Sequence, residues 1–191
     1  DVSTTLRYPR VPAHQLLQIT ASAYPNKAAL NFCGTETTFW DLRVKVLRMA
    51  NALGALGVTK GERVGIHLPT CPQHAIAYQA ALFLGAVVVN LNPMYTADEL
   101  QALITTTGVT TLITFDEVLP NIRPLCAAVD IPRVVVTKMT DFIDGYGQST
   151  PAGMEFEEGW KHFSLLLEGC SDTKVPRVEI APEDPALIQF T

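Results

Sequence analysis

Apolar residues in this chain gather in short runs that recur at a near-constant step: RVGIHL at 63–68, AVVVNL at 86–91, TTLITF at 110–115 and RVVVT at 133–137. Each run is too short for a helix and rich in β-branched residues, which predicts a buried strand. Between residues 41 and 56 the period changes. Leu42, Val46, Met49, Ala50, Leu53 and Leu56 line one helical stripe, with Gly57 behind them as a stop. Strands that alternate with helices of this length are βα units, and right-handed crossovers stack such units into a parallel sheet covered on both faces.

The helix starts carry their own signals. Thr38 with Asp41, Thr70 with Gln73 and Thr96 with Glu99 all have capping-box spacing. An earlier helix over 13–23 ends ahead of Pro25, and LNFCGTETTF at 30–39 predicts a hairpin turning around Gly34. The stretch 75–91 approaches the length of a membrane span, but Gln79 and Gly85 interrupt it and Val87, Val88 and Val89 follow. It predicts a helix, a break at Gly85 and an interior strand. Residues 186–190 are a further apolar run with the look of a strand buried on both faces. The fold class expected is α/β, a Rossmann-like parallel sheet of βα units with helices on both faces, plus an N-terminal hairpin.

Composition narrows the function classes. Nearly half of the 191 residues are apolar, so the chain can bury a core as one domain without metals or disulfides. The formal charge is −5 and the fourteen Lys and Arg are scattered singly, which argues against a nucleic-acid partner. Cys33, Cys71, Cys126 and Cys170 are too far apart for a CxxC site and suit reduced thiols. His67, Cys71 and His74 could be read as a metal cluster, yet they span a strand end, a loop and a helix start and lack a fourth ligand, so no metal site is expected. The N-terminus shows no secretory apolar region and no initiator Met, so targeting is only partly readable.

Chemistry-bearing motifs are scarce. There is no GxGxxG, no GxxxxGK[ST] and no nucleophile elbow. Gly145-x-Gly147 sits in a Gly-, Pro- and Ser-rich stretch over 138–159 with no periodic helix behind it, as a surface loop does. The neighbouring acidic pairs Asp98-Glu99 and Glu157-Glu158 point in different directions and read as solvated surface.

The wording of the motifs says more. TFWDL, GVTKGERV, LPTCPQ, GAVVVNLNP and TADEL occur in that order, and the chain resembles the N-terminal part of the adenylate-forming (AMP-binding) acyl-CoA synthetases from about residue 12 to residue 191, more weakly over 138–176. One departure is Thr70, where the family commonly has Asn; both types cap helices. NLNPMYTADEL is similar to the long-chain fatty-acid branch.

The resemblance implies that residues 1–191 are the N-terminal subdomain of an adenylating domain, cut just before its phosphate-binding loop. It implies ATP, Mg²⁺ and coenzyme A as the parent enzyme's requirements, and a fatty acid as its substrate. Thr191 matches the first residue of that loop and is the one cofactor-binding candidate, although an end-of-strand Thr needs no further role. The resemblance places every catalytic residue later, so none is assigned here and the piece alone is expected to be inactive. The parent is expected in the cytoplasm, with peripheral membrane association open, and the piece to self-associate through surface laid bare. Two other readings stay open: a stand-alone binding module that docks a partner on its exposed C-terminal strand, and a small flavodoxin-like nucleotide binder, which the missing glycine turn disfavours.

Overall fold

The computed structural model describes residues 9–144 and 157–190. Helix α1 (Ala13–Ala23) leads into a hairpin of β1 (Ala28–Phe32) and β2 (Thr35–Thr38). The turn between them places Cys33 and Gly34 at φ 51° and 86°. Two successive left-handed residues match the twist of a tight hairpin, as the sequence pattern predicts.

Helix α2 (Phe39–Ala55) starts on Thr38, whose Oγ1 accepts the Asp41 N–H at 3.1 Å. It ends in a Schellman turn: Gly57 takes φ 93°, the Val58 N–H reaches the Leu53 carbonyl and the Gly57 N–H reaches that of Gly54. Helix α3 (Pro72–Phe83) stops the same way at Gly85, with Ala86 bonded to the Ala81 carbonyl. The next strand begins at Val87, so the long apolar stretch breaks where expected.

The six remaining strands are β3 (Arg63–Ile66), β4 (Val87–Asn90), β5 (Val109–Phe115), β6 (Arg133–Thr137), β7 (Lys161–His162) and β8 (Leu187–Gln189). They form one sheet in the order β7-β6-β5-β3-β4-β8, with every pairing parallel. Helices α4 (Ala97–Thr107), α5 (Leu119–Ala128) and α6 (Phe163–Gly169) complete the fold.

Side chains alternate across this sheet. Val64, Ile66, Val88, Ile113 and Val135 join one core with α2, α3 and α6. Val89, Leu112, Val134 and Val136 join another with α4 and α5. Helices therefore cover both faces, as the βα reading requires. Gly65 fits this packing tightly, since a Cβ there would lie 3.0 Å from Val109 Cγ1 and 3.1 Å from Leu91 Cδ1.

Two expectations need correction. Thr70 does not cap α3. The N-cap is Cys71 with Pro72 at the first turn, because Pro tolerates a missing N–H there, and Gln73 turns inward instead of back to the cap. The run at 186–190 is not buried on both faces: among the described residues β8 pairs with β4 alone and lies at the sheet edge, and Leu187 is 42% exposed. Strand β7 and helix α6 are too short to show a period in the sequence. Gly145 and Gly147 lie outside the described residues.

The GVTKGERV motif is a structural knot at the amino ends of the strands. Glu62 accepts the Thr59 N–H at 2.6 Å and a bond from the Arg133 guanidinium at 2.6 Å. Burial pushes the Glu62 carboxyl up, but the Thr59 N–H and Arg133 outweigh it and hold its pKa below the ordinary Glu value. Lys60 reaches the Asp184 carboxylate at 2.7 Å and the Glu179 carbonyl at 2.8 Å, which straps the segment before β8 across the sheet. Glu62→Gln is expected to lower stability by about 1–2 kcal/mol at pH 7, as expected for loss of a charge-assisted bond. A group whose pKa is lowered on folding contributes above its unfolded pKa, so the deficit should shrink as pH falls through the carboxylate range. Urea titrations of both proteins at pH 7 and pH 3.5 check this.

Candidate functional site

In an open parallel sheet, ligands gather at the carboxyl ends of the strands, near the point where the strand order reverses. Here β4 lies on one side of β3 and β5 on the other, so the chain reverses around β3. The carboxyl ends of β3, β4, β5, β6 and β8 bring together residues far apart in sequence: His67, Asn90, Asp116, Thr137 and Gln189.

His67 follows β3 and is 2% exposed. Its Nδ1 lies 3.1 Å from Thr114 Oγ1 on β5, and its Nε2 has no hydrogen-bond partner among the described residues. Burial pushes the imidazole pKa down to about 4, against a weaker opposite pull from the Pro93 and Asn92 backbone. The ring is therefore neutral at physiological pH.

A second group lies beside it. His74 Nε2 lies 3.2 Å from Asn90 Oδ1, Asn90 Nδ2 donates to Gln189 Oε1 at 2.9 Å, and Gln189 Nε2 donates to the Phe190 carbonyl at 3.1 Å. The His74 ring also stacks on Tyr78, with centroids 6.3 Å apart and planes 18° from parallel. Next to His74 opens a mainly apolar groove of about 420 Å³ between α1, α2 and α3, walled by Leu16, Thr20, Phe39, Ala75 and Tyr78.

A third group ties down β6. Gln73, fully buried, donates to the Lys138 carbonyl at 2.8 Å and to Thr137 Oγ1 at 3.3 Å. Asp141 accepts from Ser164 Oγ at 2.8 Å and from the Lys138 N–H at 3.2 Å. These bonds satisfy the end of β6 and seat α6.

The rest of NLNPMYTADEL builds a turn. Asn92 Oδ1 accepts the Met94 N–H at 2.9 Å, and Thr96 and Glu99 form a complete capping box on α4. Glu99 is held below its ordinary pKa by the backbone and hydroxyl of Thr96.

The suggested trio of His67, Cys71 and His74 does not converge. His67 faces Thr114, His74 faces Asn90, and Cys71 caps α3 with a thiol pushed up by burial. Among the described residues no group of three or more His, Cys, Asp or Glu is placed to hold a metal ion, and no helix is long and apolar enough to cross a membrane. All four cysteines are free. Thr191, the phosphate-neighbour candidate, lies outside the described residues, but Phe190 leaves the sheet on the edge that carries Asn90 and His67. The partners of His67, Asn90 and Asp141 are not legible in the sequence, because strand order and chain packing set them. A His ending a strand inside an apolar setting was the one local signal.

A profile of the family described as AMP-binding enzyme matches residues 17–191. Among curated relatives, a long-chain-fatty-acid–CoA ligase of Bacillus subtilis is 32% identical over 143 residues, 75% of this chain and 26% of that protein. A 4-coumarate–CoA ligase of Oryza sativa is 30% identical over 191 residues, 95% of this chain and 32% of that protein. The chain thus spans between a quarter and a third of these relatives' length. In fold it is similar to a long-chain-fatty-acid-CoA ligase (FadD1) from Archaeoglobus fulgidus, with TM-score 0.80, 23% identity, and coverage of 98% of this chain and 35% of that one. With the family profile running from the first helix to Thr191, the chain belongs to the AMP-binding enzyme family.

Proposed function

We propose that residues 1–191 are the N-terminal subdomain of the adenylating domain of a fatty-acid–CoA ligase, and that Thr191 opens its phosphate-binding loop. The observation that carries this is the family match over residues 17–191, taken with a strand, β8, that delivers the chain to the carboxyl edge of a parallel sheet. The relatives named as acid–CoA ligases support the reaction class, and the Bacillus subtilis protein supports a fatty acid as the acid.

The chemistry has two halves. A carboxylate oxygen of the fatty acid attacks the α-phosphorus of ATP, and pyrophosphate leaves with the electron pair of the broken P–O bond. The thiolate of coenzyme A then adds to the acyl carbonyl and AMP leaves, so a poor leaving group has been exchanged for a good one. The Thr191 hydroxyl would donate a hydrogen bond to a phosphate oxygen, where added negative charge rewards a fixed donor. Mg²⁺ would neutralise phosphate charge, but the donors among the described residues do not converge on a site for it. This subdomain supplies the scaffold: a neutral His67 at the sheet edge and the bonded side chains that direct the chain leaving β8.

In the parent protein, ATP, Mg²⁺, coenzyme A and a fatty acid are expected to give one pyrophosphate and one AMP per acyl-CoA. Coupled pyrophosphate and thioester assays check the ratio, and a parent protein that leaves ATP intact with every acid tried would refute the assignment. Isolated, the piece is expected to associate through the half-exposed β8 edge and the exposed Leu16 and Ile19 of α1.

A further inference from the structure

The short strand β8 is anchored by burial on alternate residues only: Ile188 and Phe190 pack against the second core. It has three residues, pairs on one side only among the described residues, and exposes Leu187 and Gln189. At its amino end the Val88 N–H holds the Ala186 carbonyl at 3.0 Å. Among the described residues the ladder ends at Gln189, where β4 also ends at its register partner, Asn90. What continues past that point is made of side chains. The Asn90 carboxamide accepts from His74 and donates to Gln189, and Gln189 donates onward to the carbonyl of Phe190, the residue before Thr191.

Each amide in this series donates in the same direction, so each bond polarises the next. His74 starts the series from a firm base, since it sits in the first turn of α3 and stacks on Tyr78. Asn90 is the one member that touches both sides, and its amide supplies an acceptor and a donor on a short, stiff side chain. A Leu of similar size would supply neither.

We propose that Asn90 is a positioning residue: by joining His74 to Gln189 it fixes the direction in which the backbone leaves the sheet at Phe190, ahead of the proposed phosphate-binding loop. This rests on the reading of Thr191 as the start of the phosphate loop. His74 is its partner in the same role. Neither residue needs to touch ATP.

The test uses the full-length parent protein with Asn90→Leu, His74→Phe and His74→Gln. Asn90→Leu and His74→Phe are expected to raise KM for ATP about tenfold while KM for the fatty acid and Tm stay near wild type, whereas His74→Gln, which keeps an N–H donor, is expected to recover most of the loss. Amide hydrogen exchange at residues 188–190 should quicken about tenfold in the first two variants and not in the third. Exchange at those residues within twofold of wild type in both Asn90→Leu and His74→Phe would overturn the proposal, whatever the enzyme does. So would a fall in both substrates' kinetics together with Tm, the sign of a merely structural role. If instead exchange quickens and the wild-type parent consumes no ATP, the positioning of β8 stands and the phosphate-loop reading fails.

Discussion

Supplied with ATP, Mg²⁺, coenzyme A and fatty acids of several lengths, the 191-residue chain by itself is expected to release pyrophosphate and form acyl-CoA at background rate only. Adenylation needs donors around the phosphates, a metal site, an adenine pocket and a group that stabilises the leaving pyrophosphate. Of these the proposed reading gives the chain one hydroxyl, Thr191. A single fixed donor at developing charge is worth about 3 kcal/mol, a hundredfold or more in rate, and the missing groups act together, so nothing partial should survive their absence. Folding is a separate matter. The two cores on either face of the sheet are built entirely from residues of this chain, and α2 and α4 carry their own caps. A pyrophosphate assay and calorimetry with ATP decide the point. Turnover near that of the parent, or saturable micromolar ATP binding, would place the active site within these residues and remove Thr191 from its boundary.

Much of the fold was legible because burial on both faces writes itself into the sequence as β-branched runs, and because stops such as Gly57 and Gly85 have a backbone conformation that few other residues tolerate. The failures are equally physical. Thr70 and Gln73 have the spacing of a cap, but a Pro at position 72 moved the helix start one residue on, and Gln73 had a better partner in the end of β6. The run at 186–190 is as apolar as an interior strand, yet among the described residues its neighbours cover one edge. The candidate site was the least legible. His67 meets Thr114 and Asn90 meets Gln189 because the strand order puts β3 beside β5 and β4 beside β8, and no local pattern records that order. Conversely, the most distinctive motif, GVTKGERV, lies at the amino ends of the strands, away from the edge where a ligand would sit; its Lys60 and Glu62 bind the chain to itself.

Acid is expected to weaken this fold well before its carboxylates are protonated, and His67 is the reason. Its pKa is held at about 4 in the folded chain by burial, against an ordinary value of 6.5. Below pH 6.5 the unfolded chain therefore takes up a proton that the folded chain refuses, and the balance moves toward the unfolded state. The stability at stake is fully present above pH 6.5, declines as pH falls, and levels off below about 4. The interval corresponds to about 3 kcal/mol, a large part of the margin of a domain of this size. Burial lowers the pKa of His14 and His162 as well, so wild-type acid sensitivity sums several groups in the same direction. The comparison that isolates His67 is His67→Gln, which cannot be protonated and keeps a polar group within reach of Thr114. Urea midpoints measured at pH 7 and pH 4.5 should show the variant losing less stability than wild type by about 2 kcal/mol, most of the full effect. Equal losses in the two proteins would mean that the imidazole takes its proton freely in the folded state, and that the sheet edge around it is open to water.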